Sequence, residues 1–209
     1  MRDISVRFDA GTPPWPGDTP WSCGWAWDMA QGASVNVGCV NGSPHVGTHA
    51  DAPLHVRAGA AGADRLPLDA FCGPATVVDV SRLDGVLTLD AITAAGFSPG
   101  EPRLVLRTGR SVATGTFPAA WPSLAPEVAQ ALVRAGLRLL AVDCPSVDDR
   151  ESRTLAVHHA LFDGGAFVLE NLDLADVTPG AWELLALPMK MGAIDAAPVR
   201  AVLRPPAPR

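Results

Sequence analysis

The sequence predicts an α/β fold, one domain with a mixed β-sheet at its core. Three observations predict it. A helical pattern followed by an apolar run suited to a strand occurs twice between Thr88 and Val142. The second such run, Leu137–Val142, is apolar at all but one position, as a buried strand must be. The C-terminal third then turns strand-rich, with short runs at Ala166–Leu172, Trp182–Leu187 and Pro198–Leu203.

The elements follow in order. Residues 2–8 alternate polar and apolar and read as a first strand. A proline- and glycine-rich loop covers 11–20, and tryptophans stand at 15, 21, 25 and 27. A cluster of this kind fills a core or an oligomer interface, or walls the pocket of an aromatic substrate; Trp21, Trp25 and Trp27 are read as structural. Ala33–Val40 reads as a strand running into a histidine-rich segment, and residues 57–64 as a loop. Ala75–Ser81 is a strand, and Thr88–Ala95 a short helix stopped by Gly96. Arg103–Arg107 is a strand, followed by an irregular stretch over 108–123. A helix over 126–135 has Pro126 suited to its first turn, Val128, Leu132 and Val133 on one face, and Gly136 at its end. Pro205–Arg209 reads as a tail. No repeat, linker or low-complexity block divides the chain, so 1–209 is expected to be one domain.

Composition narrows the function. Hydrophobic content of 48% with 18% charged residues describes a packed globular protein. A net charge of −6 without a basic run argues against nucleic-acid or anionic-membrane partners. No apolar stretch reaches transmembrane length, and the N-terminus lacks a signal-peptide core, so a cytoplasmic protein is expected. Cys23, Cys39, Cys72 and Cys144 are widely spaced with no C-x-x-C, which indicates neither a disulfide framework nor a thiolate zinc site. Cys144, in Asp143-Cys144-Pro145, is read as a packing residue.

The chemistry concentrates in Ser43–His55, where three of the five histidines fall within eleven positions around Asp51. Imidazole and carboxylate are the usual ligands of a hard or borderline divalent metal. His45 and His49 are spaced i, i+4, but Pro44, Gly47 and Pro53 make a continuous helix unfavourable. A straight strand would hold the two roughly 13 Å apart at about 3.3 Å per residue. The segment must therefore bend, and Gly47-Thr48 is where it can. Beyond the bend, His49 and Asp51 at i, i+2 share one face of a short extended piece. His55, past Pro53, is a further ligand or a proton shuttle. In the second half, Glu170 lies in an apolar run. A buried carboxylate there needs a partner or a metal, whereas a strand-edge Glu facing solvent needs neither.

His45-x-Gly-Thr-His49-x-Asp51-x-Pro53-x-His55 resembles the signature of the cyclase-like metal-dependent amidohydrolases, which include bacterial kynurenine formamidases and isatin hydrolases. The resemblance extends over Pro14-Trp15-Pro16-Gly17-Asp18, Leu66–Asp69, Val142–Ser146, the Glu170 segment and Leu187–Lys190. It implies a swivelling β/β/α fold and a homodimer. It also implies two divalent ions per subunit, Zn²⁺ or Mn²⁺, between which ligand type does not decide. The ligands it implies are His45, His49 and Asp51 for one ion, and Asp51, His158 and Glu170 for the other. His158 is chosen because members carry a histidine twelve positions before the metal-binding glutamate; His159 has no assigned role. The resemblance places Trp15 against the substrate. Asn171 departs from it, since the formamidases usually have glycine after that glutamate.

The activity implied is hydrolysis of an aryl formamide, with N-formyl-L-kynurenine giving L-kynurenine and formate. A divalent ion makes water a usable nucleophile near neutral pH and polarises the carbonyl, and His55 would serve as general base and acid. Two alternatives stand beside it. One is an isatin-type cyclic amide hydrolase. The other is a non-catalytic binding protein stabilised by metal; structural ions are closed by protein ligands, whereas a catalytic ion keeps an open position.

Overall fold

The computed structural model describes residues 1–206. The strands are β1 (Arg2–Asp3), β2 (Ser22–Trp27), β3 (Val37–Asn41), β4 (His49–Asp51), β5 (Cys72–Asp79), β6 (Val86–Leu87) and β7 (Arg103–Arg107). They continue with β8 (Ser123–Leu124), β9 (Leu139–Val142), β10 (Phe167–Glu170), β11 (Gly180–Leu185), β12 (Ala196–Pro198) and β13 (Val202–Arg204). The α-helices are α1 (Leu89–Ala94), α2 (Pro126–Arg134) and α3 (Ala156–Asp163). Among the described residues, nine strands form one mixed sheet in the order β1-β13-β11-β5-β7-β9-β10-β4-β12. The centre, β5-β7-β9-β10, is parallel, and the flanking strands pair antiparallel.

The parallel centre exists because each crossover carries a helix that returns the chain to the same end, α1 between β5 and β7, α2 between β7 and β9, and α3 between β9 and β10. Alternation sorts its side chains to two faces. Val78, Leu104, Leu106, Leu140, Val142 and Val168 pack beneath the helices, with Ile92 of α1, Leu132 of α2 and Leu161 of α3. Val77, Val105, Leu139, Ala141 and Leu169 face the opposite core, which Ile4, Ala50, Phe71, Leu184 and Leu203 complete. Both faces are covered, which is why β9 reads as an unbroken apolar run.

Helix ends follow local chemistry. The Thr88 side chain accepts the Ala91 N–H at the start of α1, and Pro126 opens α2. Helix α3 begins after Leu155, whose φ is 46°, with no cap from its own flank. Asp148 supplies the cap from outside, accepting the N–H groups of Val157 and His158 at 3.0 and 3.1 Å.

Several expected boundaries move. The strand expected over 2–8 is regular only over Arg2–Asp3, with a single bridge from Ser5 to Leu172. Beyond it the chain is held instead by Val6 N–H donating to Thr48 Oγ1. The strand expected over Ala33–Val40 starts at Val37, and that over Trp182–Leu187 starts at Gly180. Ala166–Leu172 ends at Glu170, because Asn171 turns the chain with φ 57°. Pro198–Leu203 divides into β12 and β13, which pair with different neighbours. Of the expected tail, 207–209 lie outside the described residues.

Helix α3, the short strands β6 and β8, and strand β2, which pairs with the expected strand β3 in a hairpin, have no counterpart in the sequence reading. The hairpin forms its own two-stranded sheet, and every residue of both strands is exposed. Trp25 and Trp27 are 61% and 60% exposed, so these two tryptophans do not fill the core. All four cysteines are free thiols, with Cys144 buried and Cys23 and Cys39 exposed on the hairpin. No helix among the described residues is long and apolar enough to cross a membrane.

Candidate metal centre

The metal-type residues are assembled by sheet register. Strand β4 lies between β10 and β12, with His49 opposite Glu170 and Asp51 opposite Val168. Residues directly opposite share a face, so His49, Asp51 and Glu170 all project to the helical side, while Ala50 and Leu169 enter the other core. The chain bends before β4 as expected, with Gly47 at φ 69°. A Cβ there would stand 2.7 Å from the Phe8 ring, so the bend needs glycine for space as well as for conformation. The bend returns His45 to His49, their Nδ1 and Nε2 atoms 3.1 Å apart. Helix α3 adds His158 from the side, and a 3₁₀ turn over Pro53–His55 brings His55 against His45, ring centroids 4.4 Å apart.

Asp51 is the meeting point and is fully buried. Its Oδ1 lies 3.1 Å from His45 Nδ1 and 3.3 Å from His49 Nε2. Its Oδ2 lies 3.1 Å from His158 Nε2. Glu170 reaches two of these three rings, at 3.6 Å from His49 Nε2 and 3.4 Å from His158 Nε2, and accepts the Val147 N–H at 2.9 Å. The structure thus brings together all five residues expected to be ligands, with His55 beside them.

Outer hydrogen bonds fix the ring tautomers. His49 Nδ1 is 2.9 Å from the Gly47 carbonyl, His158 Nδ1 2.6 Å from Asp148, and His45 Nε2 2.9 Å from Asp195. These oxygens only accept, so each outer nitrogen carries the proton. In the neutral ring the inner nitrogen then holds a lone pair aimed at a carboxylate. Lone pairs converging on carboxylate oxygens repel unless a cation stands among them. Asp51 Oδ1 carries the same signature, since it is buried and no N–H is aligned on it.

Without metal, protons serve as the cations. Burial opposes charge on His45, but Asp51 and Asp195 outweigh it and push its pKa up to about 10. For His49 burial is likewise outweighed by Asp51, and the pKa rises to about 9. Burial also opposes charge on His158, yet Asp148 and Asp51 raise it. Burial works against ionisation of Asp51, but His45 and His49 hold its carboxyl well below the usual range. Three imidazoles and two carboxylates, each with its outer atoms engaged, fit divalent ions. His45, Asp51 and His55 form one group within metal-binding reach, and His49, Asp51 and Glu170 another. This grouping divides the histidines differently from the one the resemblance implies, but Asp51 is common to both.

A cavity of about 300 Å³ opens onto the cluster, walled by Trp15, Phe117, Pro145 and Leu155 and floored by the histidines and Glu170. Trp15 stands edge-on to Phe117 and Trp121, with centroids 5.4 and 5.9 Å apart. Two carboxylates escaped the sequence reading. Asp148 lies in the Val142-to-α3 connection, and its only signal was nearness to the family segment ending at Ser146. Asp195 precedes β12; its Oδ2 also takes His55 Nδ1 at 3.1 Å, and only the β12–β4 pairing could have located it.

A model of the Cyclase family ("Putative cyclase") matches residues 2–149. The chain belongs to that family. It superposes with TM-score 0.83 on a potential metal-dependent hydrolase with cyclase activity, at 25% identity over 98% of each chain. A predicted metal-dependent hydrolase from Bacillus stearothermophilus gives 0.81 at 25% identity, over 97% of this chain and 96% of that one. Isatin hydrolase A from Labrenzia aggregata gives 0.78 at 23% identity, over 96% and 91%, a likeness of fold. The mixed curled sheet is therefore the cyclase-like fold that the signature implied.

Proposed function

We propose that this cyclase-family protein is a metal-dependent hydrolase of an aryl formamide, converting N-formyl-L-kynurenine to L-kynurenine and formate. The observation that supports it most is the buried Asp51 carboxylate between three inward imidazole nitrogens, beneath a cavity walled by Trp15 and Phe117. In this reading His45, His49, Asp51, His158 and Glu170 hold two divalent ions, Zn²⁺ or Mn²⁺. Such ions supply an activated water and polarisation of the substrate carbonyl.

The chain's own residues do the rest. Trp15 and Phe117 hold the aryl ring and leave the small formyl group facing the cluster. His55 donates its Nδ1–H to Asp195, which leaves its Nε2 lone pair free, the form a general base needs. His55 takes a proton from the attacking water and returns it to the leaving nitrogen as the C–N bond breaks. Asp195, tied to both His45 and His55, keeps the base in register with the ligand loop.

The test is formate release from N-formylkynurenine by metal-loaded protein, with isatin assayed alongside. Ring opening of isatin without formate release would favour the cyclic-amide reading, for which the fold likeness to isatin hydrolases speaks. No turnover of either by fully loaded protein would favour a binding protein.

The expected homodimer is part of this proposal, with the β2–β3 hairpin as its surface. A two-stranded hairpin exposed on both faces is marginal alone. Between Ser22 and Asn41 only Asp28 is charged, so the occupant is apolar, and a second copy supplies a matching face. Replacing Trp25 and Trp27 by Ser should shift the mass in sedimentation from dimer to monomer; an unchanged mass would place the interface elsewhere.

A further inference from the structure

We propose that Asn171 is a positioning residue that fixes His45 for metal binding, an inference that rests on the metal-centre reading above. Asn171 follows Glu170 at the end of β10 and is buried. Its φ of 57° is left-handed, where glycine sits freely and asparagine is the side chain that follows it at the least cost. Its main chain already ties the end of β10 to the loop after β9 and to the loop before β4. The N–H donates to the Cys144 carbonyl at 3.2 Å, and the carbonyl accepts from Thr48 Oγ1 at 2.5 Å. A glycine would make both bonds.

What the side chain adds is a single hydrogen bond, Nδ2 donating to the His45 carbonyl at 3.2 Å. That carbonyl lies in irregular backbone between Gly42 and β4, and no other donor among the described residues reaches it. Only the amide nitrogen can face a carbonyl, so the flip is fixed and Oδ1 turns away. There it is buried without a donor. A side chain at a left-handed φ and an unpaired buried oxygen both carry a cost; the side chain has a place in the cavity wall, and the His45 bond is the hydrogen bond that offsets that cost. Asn171 therefore orients the peptide that carries His45, while Asp195 orients its ring. The anchors of the other half, Asp148 for His158 and the Val147 N–H for Glu170, do not involve it.

The test is Asn171→Gly in the full chain, stripped and then titrated with Zn²⁺ by calorimetry, with anomalous diffraction to place the ions. We expect affinity at the position beside His45 to fall about 10–100-fold, the usual scale for loss of a ligand's outer partner. The position beside His158 should change less than about twofold, on the same scale. The Tm of the metal-free protein should hold, because glycine accepts the same φ. A merely structural residue would instead lower Tm and weaken both positions together, and that result overturns the proposal, as does unchanged affinity at both. Wild-type protein that takes up no Zn²⁺ would overturn the metal-centre reading itself, and this inference with it.

Discussion

Asp51 Oδ2 lies 3.1 Å from His158 Nε2, although 107 residues separate them in the chain. With Oδ1 turned to His45 and His49, one carboxylate serves both halves of the cluster. Asp148 and Asp195 stand behind the rings and decide which nitrogen faces inward, so what the site binds is set as much by these outer oxygens as by the inner ring.

In the metal centre proposed above, that arrangement makes binding pH-dependent. In metal-free protein His45 and His49 titrate near 10 and 9, above an unfolded value of about 6.5. Groups raised on folding stabilise fully below the unfolded pKa, and that stabilisation is lost as pH climbs through the folded values. Metal-free Tm should therefore fall between about pH 6.5 and 10. A metal must displace the same protons, so its affinity rises over that interval and the Tm gain on loading widens. Thermal melts with chelator and with Zn²⁺ at several pH values measure this. A gain that narrows with rising pH would show that protons and metal do not compete for these rings.

Trp15 lines the cavity but touches none of the metal-type residues through a hydrogen bond. Trp15→Ala should raise KM for an aryl formamide about 2- to 10-fold, the worth of an aromatic contact of about 0.5–1.5 kcal/mol, with kcat little changed. Steady-state kinetics decide it. An equal loss in kcat at constant KM would mean that Trp15 supports Phe117 and Trp121 rather than the substrate.

Much of this was legible in the sequence because it depends on short-range chemistry. The bend at Gly47 and the shared face of His49 and Asp51 follow from conformational rules acting over a few residues. Helix α2 was legible for the same reason, from Pro126 to Gly136. The register that sets Glu170 opposite His49 is a long-range pairing that no local pattern encodes, and the choice of His158 came from the family spacing. Helix α3 was missed because its N-terminal cap comes from Asp148, seven residues before the flanking Leu155, and two adjacent histidines interrupt its apolar face. Strand β2, and with it the hairpin pairing to β3, was missed because its residues face outward, where burial arguments do not apply.

His55 stands in two roles, near enough to His45 and Asp51 to join a metal and hydrogen-bonded as a base should be. As the base, His55→Ala should keep its metal and Tm yet lose turnover by about 10²–10⁴-fold. The loss should shrink for substrates with better leaving groups, which need less protonation. Elemental analysis beside the rate measurement separates the roles: a metal-depleted His55→Ala protein makes His55 a ligand.

The most direct test of the account is the metal content of purified, Zn²⁺-loaded and dialysed protein beside that of Asp51→Asn. The carboxamide keeps the shape of the carboxylate but removes the charge shared by both halves. We predict close to two ions per chain in the wild type and a loss of both in Asp51→Asn. A wild type that retains none, or an Asp51→Asn protein that still retains two, would contradict a metal centre built on Asp51.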